Sequence, residues 1–332
     1  MRTRLAKLAL GIGLIGLLVT GSAAPGHSAR AAAGTVTFVT DIGGLNDNGF
    51  NHLGDVGSMK GATQAGWKRN VIETASPSDY EKNLTTAATK SDMVVAVGFS
   101  FGDILKKVAA KYPKVKFVII DWSYSPSLPN VLGNVFKPGE ASYLAGILAA
   151  GLSKTHTIGF VGGLSVPVIH EFLAGYKAGA LSYDPKVKVL AVYTGSFTDQ
   201  SKGKTAGLQE INGGADVIYP AAGASGLGAL TAAAQRHKLA IGVDTDQNYL
   251  HKDAVMTSVV KHVEVAIANA IVDAGMGKFK SGTKLWNLAN NGVGLASYHS
   301  LASRVPATVQ AAMDKARAGI IAGKIMVPAD VK

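Results

Sequence analysis

Polar, glycine-rich clusters recur along the chain, and each follows an apolar run of strand length. The first, DIGGLNDNGFN at residues 41–51, carries the carboxylates of Asp41 and Asp47 and ends on Phe50 and Asn51. Glycines let a ligand approach the backbone closely, and an aromatic ring can stack on a flat ligand. Each residue alone would serve equally well in a turn or a helix cap. Together they predict a ligand-binding loop.

Later clusters carry the same kinds of group. They comprise a glycine and aromatic pair, an aspartate next to a tryptophan, a glycine-rich turn, a further aspartate and a lysine. We predict that these residues bind the ligand together with the first loop: Gly98, Phe99, Asp121, Trp122, Gly223, Asp244 and Lys261. The mixture indicates a small ligand with a flat ring and a hydroxylated part. Phe101, in the same segment as Phe99, is assigned to the core.

Signatures of catalysis fail when they are tested residue by residue. The phosphate-loop and nucleophile-elbow patterns each lack a required glycine, where Thr198 and Leu227 stand. A zinc-protease helix beginning at His170 has Ala174 in place of the second ligand. The eight histidines show no metal-ligand spacing. We therefore predict a binding protein rather than an enzyme, with no catalytic residues, cofactor or metal.

The elements that must position these clusters alternate between strand and helix. Strands recurring every 20 to 30 residues, with a helical segment in each gap, indicate parallel sheets covered on both faces. Two series of about five strands favour an α/β protein with two doubly wound, Rossmann-like lobes over an eight-stranded barrel. The first series is Val36–Thr40, Asn70–Ile72, Met93–Val97, Phe117–Ile120 and Val131–Val135. The second is Thr157–Phe160, Val187–Tyr193, Val217–Tyr219, Ala240–Val243 and Val255–Val260.

Composition agrees with a large folded core. The 332 residues are 47% hydrophobic and 17% charged, which excludes a disordered polyelectrolyte and suggests two domains. The chain contains no cysteine, so disulfide scaffolds, cysteine-ligated metals and cysteine nucleophiles are excluded. The net charge of +11 is spread without long basic blocks, and we predict no nucleic-acid partner.

The N-terminus has the order of a secretory signal. A basic start is followed by the uncharged run at residues 8–20 and then by small residues. We expect residues 1–33 to be a signal peptide, with cleavage near Ala23, Ala31 or Ala33; an uncleaved anchor is the alternative. Either reading places the folded part outside the cytoplasm. Removing the four basic residues of this segment lowers the net charge from +11 to about +7.

Six blocks in matching order resemble the basic membrane protein family. They are the loop at 41–51, VGFSFGD, KYPKVKFVIID, IGFVGG, GADVIYPAAGASGLG and IGVDTDQ. The resemblance spans nearly the whole chain after Thr35. It implies a type I periplasmic-binding fold and a substrate-binding protein of a bacterial ABC importer that captures a nucleoside, most often a purine nucleoside. It also implies an ABC permease as partner, and we expect a monomer.

The resemblance also implies roles for individual residues. The family's base-stacking aromatic corresponds to Phe50, with Asn51 beside it, and Asp41 and Asp121 are expected to bond polar edges of the ligand. Asp244 and Lys261 are expected to hold ribose hydroxyls. A second aromatic from the other lobe completes the base sandwich in the family. The candidate for it here is Tyr219.

Some features depart from the family. Gly49 and His52 stand where serine and glutamine are usual, which leaves the ligand's identity open. With no cysteine to carry lipid, we expect an exported protein in the periplasm or on the outer face of the membrane without a lipid anchor. The alternatives are a nucleoside hydrolase or a sensory or adhesive receptor of the same fold. By analogy with the fold, we expect lobe 1 at 34–137 and 248–288 and lobe 2 at 138–247 and 289–332, with crossings near Lys137, Gln247 and Leu288.

Overall fold

The computed structural model describes residues 33–330, so the expected signal peptide lies outside the described residues apart from its last position. The strands are β1 (Thr35–Val39), β2 (Lys68–Ile72), β3 (Met93–Val97), β4 (Lys116–Ile120), β5 (Val131–Phe136), β6 (Thr157–Gly162), β7 (Lys188–Tyr193), β8 (Val217–Ala221), β9 (Leu239–Asp244), β10 (Val255–Lys261), β11 (Gly282–Trp286) and β12 (Val293–Leu295). The helices are α1 (Phe50–Ala65), α2 (Tyr80–Lys90), α3 (Gly102–Lys111), α4 (Pro138–Leu152), α5 (Pro167–Tyr183), α6 (Gln200–Asn212), α7 (Ala224–Gln235), α8 (Val263–Gly275) and α9 (Ala307–Ile321).

The strands form two sheets of six. Their orders are β11-β5-β4-β3-β1-β2 and β12-β10-β9-β8-β6-β7. All neighbours run parallel except β10 and β12, which are antiparallel. In each sheet the strand order reverses beside the first strand, between β1 and β3 and between β6 and β8. Such reversals open a crevice at the carboxyl ends of the strands, where ligands of open α/β sheets bind. The predicted pair of doubly wound lobes is confirmed.

Central strands are apolar throughout because helices cover both of their faces. Every residue of β3 and β9 is buried, whereas the edge strands β2 and β7 are partly exposed. Helix pairs pack closely through glycine: a Cβ atom at Gly179 of α5 would lie 1.9 Å from the carbonyl oxygen of Tyr143 in α4. A larger residue there would push the two helices apart.

The chain passes between the sheets after β5, after β10 and after β11. The prediction that lobe 1 resumes at residue 248 is wrong, because β10 hydrogen-bonds to β9 in the second sheet. The chain therefore returns to the first lobe only after Lys261. Backbone hydrogen bonds tie the crossings together, from Lys137 N–H to the Trp286 carbonyl (2.8 Å) and from His262 N–H to the Gly292 carbonyl (3.0 Å).

Within residues 33–330 no helix has the combined length and apolar character needed to cross a membrane.

Candidate functional site

A cavity lies between the two lobes, at the carboxyl ends of both sheets. Its atom-free space is about 600 Å³. Most of the predicted ligand-binding residues line it: Asp41, Asp47, Phe50, Asn51, Phe99, Asp121, Gly223, Asp244 and Lys261. Strand ends separated by more than 200 residues of sequence therefore meet at one place. The three other predicted residues, Gly98, Trp122 and Tyr219, do not line it.

Asp47 supports the start of α1. Its carboxylate accepts hydrogen bonds from the backbone N–H groups of Gly49 (3.0 Å), Asn51 (2.7 Å) and His52 (3.0 Å). A fourth bond comes from the side-chain amide of Asn51, at 3.1 Å. The backbone N–H groups at the start of a helix have no partner within the helix, so a carboxylate at this position satisfies them. The negative charge also interacts favourably with the positive end of the helix dipole. The geometry gives Asp47 a positioning role, because both its oxygens are already occupied.

Asn51 holds Asp41 in place. The Asn51 amide nitrogen donates to Asp41 Oδ1 at 2.7 Å, and its oxygen accepts the Asp41 backbone N–H at 3.1 Å. Asp41 Oδ1 also accepts the N–H of Gly43, at 2.8 Å. The other oxygen, Oδ2, lies where a Cβ atom at Gly98 would approach to 3.2 Å. Gly98 thus contributes by lacking a side chain, and its φ of 119° also requires glycine.

Burial raises the pKa of Asp41 to about 6. The hydrogen bonds from Gly43 and Asn51 oppose the rise, and the negative charges of Asp47 and Asp121 add to it. A buried carboxylate is costly to keep ionised unless donors satisfy it. Asp41 is therefore prepared to accept a hydrogen bond from a ligand.

Lys261 and Asp121 form an ion pair that joins the lobes. Lys261 ends β10 in the second lobe, Asp121 follows β4 in the first, and both side chains are buried. The Lys261 ammonium also lies 4.7 Å from the centroid of the Phe50 ring and 5.1 Å from that of Phe136. A desolvated cation over a ring face is attracted to it. Lys261 therefore links the charged wall of the cavity to its aromatic wall.

Asp244 lies at the end of β9 with a positive φ of 65°. Burial raises its pKa to about 7, Lys261 opposes the rise, and the other carboxylates of the cavity add to it. Only 8% of Asp244 is exposed, yet its side chain has no hydrogen-bond partner within residues 33–330. A nearly buried carboxyl group without a partner would gain most from a donor on a ligand.

The second aromatic of the cavity is not Tyr219. Tyr219 is fully buried in the core of the second lobe, where its hydroxyl is 3.0 Å from that of Ser142 and its ring packs edge-on against Phe160. Tyr219 lies on the same face of β8 as Ala221, which lines the cavity, but two residues before the strand ends, so its ring packs in the core rather than in the cavity wall. Two other rings of the second lobe line the cavity, Phe172 of α5 and Phe197 after β7.

These two rings were missed for different reasons. Phe197 follows Gly195 and Ser196 just beyond a strand, so the strand-end rule applied to β7 would have found it. Phe172 lies in a helix of apolar residues and cannot be told from core by periodicity alone. Backbone packing fixes Phe197, since the N–H of Ser225 donates to its carbonyl at 3.2 Å.

Trp122 lies outside the cavity. Its ring packs on Gly102 at the start of α3, where a Cβ atom would lie 2.5 Å from the ring, and the side chain is 36% exposed. Asp121 takes a left-handed conformation with φ of 64° at this point. The two neighbours therefore point to different places, and only Asp121 lines the cavity.

At the N-terminus of α7 the backbone itself lines the cavity. Residues 221–224 contribute, and Gly223 has φ of 56° with ψ of −140°, a conformation that favours glycine. The N–H groups of Ser225 and Gly226 donate to the carbonyls of Phe197 and Gly223, so these two donors of the helix start are not available to a ligand.

The charges of the cavity wall are mostly negative. Asp41, Asp47, Asp121 and Asp244 face one ammonium group, that of Lys261. Such a wall accepts hydrogen bonds from neutral ligands rich in N–H and O–H groups and repels phosphate. The described part of the chain holds no cluster of side chains suited to a metal ion.

Two doubly wound sheets, three crossings and a cavity between the strand ends define a type I periplasmic-binding fold. The solved structure of an ABC transporter system solute-binding protein from Aeropyrum pernix K1 has this fold. It matches with a TM-score of 0.83 and 25% identity, covering 89% of this chain and 94% of that one.

The chain belongs to the Bmp family, described as ABC transporter substrate-binding protein PnrA-like, which matches residues 35–330. It is 34% identical to the ABC transporter nucleoside-binding protein BmpA of Lactococcus lactis, over 91% of this chain and 93% of that protein. It is 32% identical to basic membrane protein D of Borreliella burgdorferi, over 91% of this chain and 89% of that protein. The predicted family is confirmed, and the protein is a substrate-binding protein rather than an enzyme.

Proposed function

We propose that this protein captures a nucleoside, specifically a purine nucleoside, between its two lobes and delivers it to the permease of an ABC importer. The observation that carries the proposal is the composition of the cavity wall. Phe50 from one lobe and Phe197 from the other supply rings for a flat base, and Asp244 with Lys261 supply polar partners for ribose. The name of the Lactococcus lactis relative supports the same ligand class.

In this proposal the base lies between Phe50 and Phe197. Stacking of a base on an aromatic side chain contributes about 1–3 kcal/mol per base. Asp41 Oδ2 and Asp121 accept N–H groups from the edge of the base. Phe99 and Phe172 complete the apolar wall.

The ribose lies against Asp244 and Lys261. Hydrogen bonds to charged groups contribute about 1.5–3 kcal/mol each, and an analogue without the hydroxyl leaves buried groups unpaired. We therefore propose selection for ribonucleosides over deoxyribonucleosides. The surplus of carboxylates disfavours nucleotides.

We propose an exported monomer in the periplasm or at the outer face of the membrane, and membership of a family of ABC substrate-binding proteins supports this location. Closure of the lobes about the three crossings buries the ligand and creates the surface that the permease recognises. No bond of the ligand is broken.

Isothermal titration calorimetry with purine and pyrimidine nucleosides tests the proposal. We expect Phe197→Ala to weaken binding of the preferred nucleoside by about 5- to 150-fold, which corresponds to about 1–3 kcal/mol. Trp122→Phe is the matched control outside the cavity and should bind like the parent. Equal affinities for Phe197→Ala and the parent would refute the base sandwich.

A further inference from the structure

A second set of contacts joins the lobes without touching the cavity, and it converges on one residue. Asn48 of the first lobe lies in the β1–α1 loop. The side-chain amide of Gln247 donates to the Asn48 carbonyl at 3.0 Å, and the hydroxyl of Tyr249 donates to Asn48 Oδ1 at 2.8 Å. Both donors follow β9 in the second lobe. We call these three residues the Asn48 bridge, and none of them lines the cavity.

The bridge is built on a rigid support in the second lobe. Gln247 is 2% exposed, its side-chain oxygen accepts the Val243 N–H at 3.0 Å, and its own N–H donates to the hydroxyl of Ser258 at 3.0 Å. Its amide is therefore held in the orientation that meets Asn48. Little side-chain entropy is lost when the lobes come together, because the donor is already fixed.

The first-lobe half is shaped to receive these donors. Asn48 has a φ of 50°, a left-handed conformation that asparagine tolerates better than most residues. Its side-chain nitrogen donates to the Asn46 carbonyl at 3.3 Å, which leaves Oδ1 available to Tyr249. Asn48 also directly precedes Gly49 and Phe50, so the bridge lies next to the loop that lines the cavity.

We propose that the Asn48 bridge holds the lobes closed and sets how slowly a bound ligand leaves, so that residues which never touch the ligand control its release. This inference rests on the proposed capture of a nucleoside for its effect on ligand release, but its effect on lobe closure does not need the ligand to be a nucleoside. Asn48, Gln247 and Tyr249 are positioning residues. Because the bonds form only when the lobes meet, losing one speeds opening more than it slows closing.

Tyr249→Phe is the simplest test, since the ring is 55% exposed and only a hydroxyl is removed. The net contribution of one hydrogen bond predicts a closed-to-open ratio about 2- to 10-fold lower than in the parent. Asn48→Gly removes the same bond and keeps the backbone conformation accessible. The closed-to-open ratio of the double variant should therefore be no lower than that of the more affected single variant. Tyr298→Phe is the control, because its hydroxyl contacts Gln310 at 3.2 Å within the second lobe.

Single-molecule Förster resonance energy transfer measures the ratio of closed to open molecules directly. The chain has no cysteine, so Lys82→Cys in α2 and Ser201→Cys in α6 give one exposed label site on each lobe. Populations are recorded in buffer alone and with saturating adenosine or guanosine. Stopped-flow mixing then separates association from dissociation of whichever nucleoside binds, and we expect Tyr249→Phe to change mainly the dissociation rate.

The outcomes separate the two proposals. If neither adenosine nor guanosine shifts the closed-to-open ratio of the parent, the purine-nucleoside proposal is in error, while the comparison of variants in buffer still decides the bridge. An unchanged ratio in Tyr249→Phe, additive losses in the double variant, or a parent with no closed population under either condition would overturn the bridge.

Discussion

At Asp244 the demands of stability and of ligand binding oppose each other. Burial raises its pKa from 3.8 to about 7, and its side chain has no hydrogen-bond donor within residues 33–330. Between these pH values the folded protein holds a proton that the unfolded chain has lost. The free energy of unfolding therefore falls as pH rises from about 4 to about 7. Asp244→Asn removes this dependence at one site.

The size of the effect follows from the pKa. Each unit of pKa corresponds to about 1.4 kcal/mol. The rise of the Asp244 pKa from 3.8 to about 7 therefore lowers the free energy of unfolding by at most about 4 kcal/mol above pH 7. Opening of the cavity hydrates the carboxylate, so we expect Asp244→Asn to stabilise the ligand-free protein by about 2 kcal/mol at pH 8. At pH 4 both side chains are neutral in the folded protein, and the gain should be close to zero.

Urea unfolding at pH 4, 6 and 8 measures the gain in the free energy of unfolding that Asp244→Asn produces. Burial raises the pKa values of Asp41, Glu171 and Glu210 in the same direction, so the variant should keep a pH dependence of smaller slope. Asp253→Asn, at an exposed position, is the control. The same substitution should weaken binding of a ribonucleoside, because an amide accepts ribose hydroxyls less strongly than a carboxylate. A variant equally or less stable than the parent at pH 8 would refute the reasoning.

Two further predictions concern the supports of the cavity. Asp47→Ala removes the four hydrogen bonds at the start of α1 and should lower the free energy of unfolding by about 1–2 kcal/mol. Urea unfolding measures this loss. Unchanged stability would show that the Asp47 cap is dispensable. Lys261→Met leaves Asp121 buried without its cation and should lower the free energy of unfolding by about 3–5 kcal/mol. Combining it with Asp121→Leu removes the unpaired charge and should restore most of that free energy. A double variant as unstable as Lys261→Met alone would contradict the ion-pair explanation.

Much of the fold could be predicted because its strands are short, apolar and regularly spaced. The continuous run at Phe117–Ile120 indicated a strand buried on both faces, and it is the buried centre of β4. The strands β11 and β12 were not among the candidates. β11 carries exposed Thr283, Lys284 and Leu285 on a sheet edge, and β12 has three residues, so neither gives a hydrophobic pattern. The place where lobe 1 resumes was wrong for a different reason: β10 follows β9 directly in the chain and was a predicted strand, but its sequence does not tell which of the two sheets it joins.

The position of the cavity could be predicted from the rule that ligands bind at strand ends. What each side chain does there could not, because it depends on which hydrogen bonds are already made. Asp47 and Asp244 are both aspartates lining the cavity, yet the first is saturated by backbone N–H groups and the second has no hydrogen-bond donor among the described residues. Trp122 was misplaced because spacing does not reveal the direction of a single side chain after a strand. Tyr219 was misplaced because it precedes the end of β8 and packs in the core.

The most direct test of the central claim is a competition among ligand classes. The purified protein is mixed with equimolar nucleosides, free nucleobases, sugars and amino acids, desalted and denatured, and the released molecules are identified by mass spectrometry. Capture of a base between Phe50 and Phe197 with ribose against Asp244 and Lys261 predicts that ribonucleosides are recovered above all other classes. Recovery of a sugar or an amino acid instead, or no enrichment of any nucleoside, would contradict it.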